Sequence, residues 1–196
     1  PIDLVIAFGT AGIVDLGSCN GSVVIGSKFF IHNPYESEED DPPADLWKHT
    51  SLDQTIISKQ IDFSLIPDVV RNKAETKFLR TPLQPAEPPV ILAGHGFYSL
   101  GIVNVQNYEH YIWADKRAID AFRKGGNKGV IGSVESTHGL IRLQLQNNET
   151  PFLFISGITD EDGKFDAQVT PRVYSQNFVA AHNAGITLCY LLEEVI

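Results

Sequence analysis

The chain contains no methionine, and only two cysteines, Cys19 and Cys189, among 196 residues. Two cysteines are too few for a disulfide framework, so a reducing compartment is expected, with a single bridge as the remaining option. Basic residues are also scarce: 15 Lys and Arg against 24 Asp and Glu leave a formal net charge of −9. That balance argues against a phosphate-tracking nucleic-acid surface and against an anionic membrane face, and it favours a small or neutral ligand. No apolar run is long enough to span a bilayer. The most apolar opening stretch, residues 2–14, is broken by Gly9 and Gly12 and has no basic leader, so neither a signal peptide nor a membrane helix is read there and a cytoplasmic location is expected. The glycines of "FGTAG" are not followed by the third glycine of a dinucleotide loop or the Gly-Lys-Ser/Thr of a phosphate loop. His49, His95, His110, His138 and His182 form no pair spaced for a metal on one helix face; they read as solvated or core histidines, and no metal is expected. The missing methionine, together with a start directly on a strand-like run, suggests a trimmed chain or a sequence from which methionines were dropped.

What is present is 43% hydrophobic residues, enough for one sizeable core, and a single domain over 1–196 is the simplest reading. Residues 3–9 form a short apolar run ending in glycine, and 22–32 are β-branched and aromatic, which predicts one strand and then another strand or pair. Residues 33–47 hold six acidic residues and three prolines and read as a solvated loop. Weak helical periodicity marks 51–61 and 64–74, and 80–92 are a proline-rich connection. A strand is predicted over 101–107, a short helix over 114–126 closed by Gly125, and a strand-to-helix passage over 133–146. Residues 151–156 read as a buried strand. In 173–195, Phe178, Ala181, Gly185, Leu188, Leu192 and Val195 recur at three-and-four spacing, the pattern of a helix with an apolar stripe, and Cys189 falls on that side as a core residue. Alternating strands and helices predict an α/β fold, a three-layer α/β/α sandwich with a mixed central sheet.

Three segments place polar groups where open α/β sheets bind ligands, beyond the carboxyl ends of strands. In "FGTAG", Gly9 and Gly12 let the backbone approach a ligand and Thr10 offers a hydroxyl; an ordinary tight turn is the alternative. In "VESTHG", Glu135 could accept hydrogen bonds from paired hydroxyls, or simply cap the start of a helix. Asp160 follows the apolar run "FLFISGIT", where burial would suit a proton donor; the alternative is a turn aspartate in "DEDG".

Taken in order, these segments resemble the purine nucleoside phosphorylase and nucleosidase superfamily. "VIAFGTAG" is similar to that family's strand ending in Gly-Ser/Thr-Ala/Cys-Gly, "VESTHGLI" to its Met-Glu-Ser/Ala element, and "PFLFISGITD" to the strand leading to its Ser-Asp, followed by an alanine-rich helix. The resemblance covers most of the chain, less closely between 33 and 100, and it implies a chain that begins downstream of the family's first strands. It implies cleavage of the N-ribosyl bond of a purine nucleoside, a 5′-thio-substituted one being an option. Asp160 would protonate the departing base, Glu135 would hold the vicinal ribose hydroxyls, Tyr108 would stack on the base, and Thr10, Ala11 and Gly12 would border the ribose or nucleophile site. His32 would lie near the sugar or its 5′ group. No cofactor is implied beyond phosphate as an optional co-substrate. Hexameric members carry an arginine just before the glycine turn, where this chain has Ala7 and Phe8, which tilts the expectation from phosphorolysis to hydrolysis. A homo-oligomer is implied as well. A non-catalytic nucleoside-binding or sensor module on the same fold is the alternative function.

Overall fold

In the computed structural model the described residues are 2–17, 19–34, 54–57, 68–80, 88–102, 108–138, 141, 150–161 and 176–194, with backbone alone for 54–57 and 108–112. The elements run β1 (Val5–Ile13), β2 (Val23–Gly26), β3 (Lys28–His32), β4 (Gln54–Ile57), α1 (Asp68–Glu75), β5 (Ile91–Ala93), β6 (Phe97–Ile102), α2 (Tyr108–Lys124), β7 (Val130–Glu135), β8 (Phe152–Glu161) and α3 (Gln176–Glu194). Among the described residues the eight strands form one sheet in the order β4-β3-β6-β7-β1-β8-β2-β5. It is mixed, as expected: β1 is parallel to β8 but antiparallel to β7, and β8 is antiparallel to β2. β3, β6 and β7 are mutually parallel neighbours.

The apolar residues sort by strand alternation into three clusters. Phe30, Tyr98, Leu100, Ile102, Ile131 and Val134 face α2 and meet its Ala114, Ala118, Ile119 and Phe122. Val23, Ile25, Ile91, Leu153 and Ile155 face α1 and α3. The alternate positions of the same strands, among them Val24, Phe29, Phe154 and Ile158, form a third cluster between strands. The sheet curls to enclose it: a Cβ placed on Gly132 would stand 2.8 Å from Val24 Cγ1, although β7 and β2 are not neighbours in the hydrogen-bonded order. Phe29 packs edge-on against Phe152 and Phe154, with ring centroids 4.7 and 5.6 Å away, a geometry that aromatic quadrupoles favour. Among the described residues α1, α2 and α3 lie outside the curl.

Helix α1 protects the sheet edge. The Ile91 N–H donates to Glu75 Oε1 at 2.7 Å and the Ile91 carbonyl accepts from Arg71, so β5 does not present these groups to another chain.

Several boundaries differ from the sequence reading. β1 continues through Gly9–Ile13 as a strand rather than turning, because β7 and β8 pair with it on both sides. β8 likewise runs past Ser156-Gly157 to Glu161, held by β1 and β2, so Asp160 lies within a strand and not in a turn. Residues 54–57 form strand β4 against β3, not a helix. β6 starts four residues before the predicted strand, and α2 starts six before the predicted helix. The calls on most of the acidic loop 33–47, on 103–107 and on 142–149 lie outside the described residues.

Helix α3 buries a different face from the one predicted. Its buried residues are Gln176, Val179, Ala180, Asn183, Ala184, Thr187 and Leu191, whereas Phe178 and Leu192 are 58% and 48% exposed, and Cys189 is an exposed free thiol. The reason is proximity. At Gly157 on β8 an added Cβ would stand 2.0 Å from the Ala180 carbonyl oxygen, too close for any bulky inner face. Asn183 uses the same contact to anchor chain segments: Nδ2 donates to the carbonyls of Gly21 at 2.7 Å and Leu79 at 3.0 Å, and Oδ1 accepts from the Leu79 N–H at 2.8 Å. Among the described residues no helix is long and apolar enough to cross a membrane.

Gly157→Ala is expected to cost about 3 kcal/mol or more, because its methyl meets backbone rather than a movable side chain. That corresponds to a loss of roughly 6–12 °C in Tm. Gly96→Ala, with nothing within 4 Å of its added Cβ, should shift Tm by no more than about 2 °C. Thermal unfolding of the two variants checks the contrast.

Candidate active site

β1 carries a register slip between Ala11 and Gly12, after which Gly12 pairs with Asp160 of β8. On its other side Gly12 pairs with Val134, the residue before Glu135 of β7. The two acidic residues thus flank one glycine from the two neighbouring strands, about 10 Å apart at the backbone by strand spacing. Cross-strand partners share a face, so Asp160 and Gly12 lie on the side of Val134, which faces α2, whereas Glu135, the next residue of β7, turns to the inside of the curl.

Asp160 is 7% exposed. Thr159 Oγ1 donates to Asp160 Oδ1 and lies 3.1 Å from the Ala11 carbonyl oxygen. The other oxygen, Oδ2, stands 3.7 Å from where a Cβ of Gly12 would be. A side chain at position 12 would therefore crowd the carboxyl, which is what the bare glycine avoids.

Glu135, with a side chain 5% exposed, is held through both oxygens. Oε2 accepts the backbone N–H of Thr137 and, at 2.5 Å, that of His138. A helical turn begins there, since the Ile141 N–H bonds the Thr137 carbonyl at 3.0 Å, so the capping alternative is realised on this oxygen. Oε1 accepts Ser99 Oγ at 3.2 Å. A carboxylate offers about four acceptor positions, so three donors leave room for a ligand hydroxyl.

No protein-family model matches the chain, and no curated protein matches it. Solved structures do. The 5′-methylthioadenosine/S-adenosylhomocysteine nucleosidase of Neisseria meningitidis, in complex with methylthio-immucillin-A, is similar over 97% of this chain and 69% of that one, at 19% identity and a TM-score of 0.50. The apo 5′-methylthioadenosine nucleosidase of Arabidopsis thaliana is similar over 97% and 62%, at 11% identity and a TM-score of 0.51. Uridine phosphorylase of Schistosoma mansoni in complex with thymidine gives 97% and 59%, 12% identity and a TM-score of 0.51. The fold is that of the nucleoside phosphorylase and nucleosidase superfamily. This chain spans between 59% and 69% of the length of those three proteins.

Within this fold the other sequence candidates fall as follows. Thr10 and Ala11 precede Gly12 on β1, with Ala11 buried and Thr10 half-buried. Tyr108 is the first residue of α2, and its side chain lies outside the described residues. His32 ends β3 and pairs with Ile102, one residue beyond the Gly101 that pairs with Glu135, so it is level with the carboxylate along the strands. Yet His32 shares the α2-facing side of β3 with Phe30. There it lines a cleft of about 570 Å³ with Arg117, Asp120, Lys124 and Asn127. The structure thus brings Asp160 and Glu135 to either side of Gly12 on the two neighbouring strands and sets His32 in the separate cleft lined by α2.

His138 was not singled out from sequence beyond a solvated or core role, and the structure places it beside Glu135. It is 3% exposed, and its ring lies 6.2 Å from that of Phe154, stacked. Nδ1 is 3.8 Å from Glu135 Oε1 and has no hydrogen-bond partner among the described residues. Nε2 is 3.6 Å from the position a Gly9 Cβ would take. The signal in sequence was the pair of glycines in β1, each kept bare under a polar side chain from a neighbouring element.

Burial holds the His138 imidazole below its ordinary value near 6.5, and the nearby Glu135 carboxylate only partly offsets this. The folded protein then binds fewer protons than the unfolded chain below about pH 6.5, so stability is complete above that value and declines as pH falls through it. Tm should drop between about pH 7 and pH 5 in the parent, and His138→Phe should show a smaller drop over the same range. An equal drop in both proteins would assign the acid sensitivity elsewhere.

Proposed function

We propose that the protein cleaves the N-ribosyl bond of a nucleoside, with a purine nucleoside as substrate and water as nucleophile. The observation that carries this reading is the flanking of Gly12 by two largely buried carboxylic side chains, Asp160 and Glu135, on a nucleosidase fold.

Breaking the bond between the sugar carbon and the base nitrogen sends the electron pair to the base and leaves positive charge on the sugar. In this reading the Asp160 carboxyl, fixed at Oδ1 by Thr159, delivers a proton to the base ring nitrogen as it departs, and such a placed acid contributes about 10²- to 10⁴-fold in rate. Glu135 uses its remaining acceptor capacity on the ribose hydroxyls, which orients the sugar, and its charge lies near the carbon where positive charge develops. The bare backbone at Gly12, which stands between the two on β1, leaves space for the sugar. Water rather than phosphate is favoured because Ala7 and Phe8, where an arginine would grip phosphate, carry no charge. His32 acts at the 5′ end, reached over the strand tips.

Free base released from a panel of purine and pyrimidine nucleosides, with and without phosphate, tests the reading. Release should be independent of phosphate, and Asp160→Asn should lower kcat by about 10²- to 10⁴-fold. Nucleoside binding without release would leave a binding module in place of the enzyme, and undiminished turnover in Asp160→Asn would remove Asp160 as the acid.

A further inference from the structure

Three fully buried serines form a hydrogen-bonded row that ends on Glu135. Ser156 of β8, Ser133 of β7 and Ser99 of β6 are each 0% exposed. Ser156 Oγ lies 2.8 Å from Ser133 Oγ, Ser133 Oγ 3.3 Å from Ser99 Oγ, and Ser99 Oγ 3.2 Å from Glu135 Oε1. Ser99 and Ser133 are register partners in the β6–β7 ladder, whereas the Ser133–Ser156 bond joins β7 to β8 although β1 lies between them in the sheet. The curl makes this reach possible.

Each hydroxyl has one proton to give and an ionised carboxylate only accepts, so Glu135 draws the Ser99 proton. Ser99 is placed as donor toward both Glu135 Oε1 and Ser133 Oγ, and the Ser133–Ser156 bond can run either way. Apolar residues would fill the same volume without needing partners, so the three buried hydroxyls are held by one another and by the carboxylate.

We infer that Ser99 is a positioning residue for ribose recognition: with Ser133 and Ser156 behind it, it fixes the rotamer of Glu135 so that the carboxylate meets a vicinal diol. The inference deepens the reading of Glu135 as the ribose ligand and rests on it. The row also ties the strand that carries Asp160 to the strand that carries Glu135, so the two ends of a bound nucleoside are gauged against one another.

The test is the dissociation constant of adenosine and of uridine, each against its 2′-deoxy counterpart, for the parent, Ser99→Ala, Ser133→Ala and Ser156→Ala, with Tm measured alongside. The parent should prefer the ribonucleoside. Ser99→Ala should reduce that preference about tenfold through weaker ribonucleoside binding, leaving the deoxynucleoside little changed. Ser133→Ala should reduce it less and Ser156→Ala least, while the three lose similar Tm. Because the effect is graded along the row, any two variants that fold suffice. A parent that shows the preference and serine variants that keep it in full would overturn the inference and leave Glu135 as ribose ligand. A parent with no preference would remove the ribose role of Glu135, and the inference with it.

Discussion

The pairing of β1 with β8, and the one-residue slip within it at Ala11 and Gly12, is the constraint on which the rest of the site depends. Because side chains alternate along a strand, a slip of one residue decides which face every later residue presents. Here it brings Asp160 level with Gly12 and puts its carboxyl over bare backbone. The antiparallel contact of β1 with β7 on the other side brings Val134 to the same glycine and turns Glu135 inward. Without the slip Asp160 would fall level with Ile13 of the inner cluster instead.

Polar burial inside the curl follows from that arrangement. Carboxylates and hydroxyls withdrawn from water are tolerated when they are hydrogen-bonded, and an unmatched one costs on the order of 1–3 kcal/mol. Glu135 meets this condition with two backbone N–H groups and a serine. Asp160 is met by Thr159. The helices contribute from outside: the close contact of Ala180 with Gly157 seats α3 directly on β8, the strand that carries Asp160.

The fold class and the main segments were legible because buried strands and the glycine-closed helix leave strong local marks. Phe152 to Ile155 on β8 and Val23 to Ile25 on β2 are buried as an apolar run requires. The strand ends were not legible. Nothing local in "SGITDE" says strand; its backbone is held by two neighbours far away in sequence, and tertiary pairing overrides the turn propensity of Ser, Gly and Asp. Helix α3 shows the same limit in a different form. Its apolar periodicity is real, but the buried face was chosen by how near β8 allows the backbone to come, so small and amide side chains point inward while Phe178 and Leu192 face out. Asp160 and Glu135 could be singled out from motif order, whereas His138 and the serine row could not, because their neighbours come from strands brought together by the curl.

The account's central claim is that Asp160 and Glu135 act on opposite ends of one nucleoside. A crystal structure with bound adenosine tests it most directly. The account predicts the base within hydrogen-bond distance of Asp160 and the 2′ and 3′ hydroxyls on Glu135, with the sugar over Gly12. Adenosine found instead in the cleft between β3 and α2, beside Arg117 and Lys124, with Asp160 and Glu135 unliganded, would contradict it.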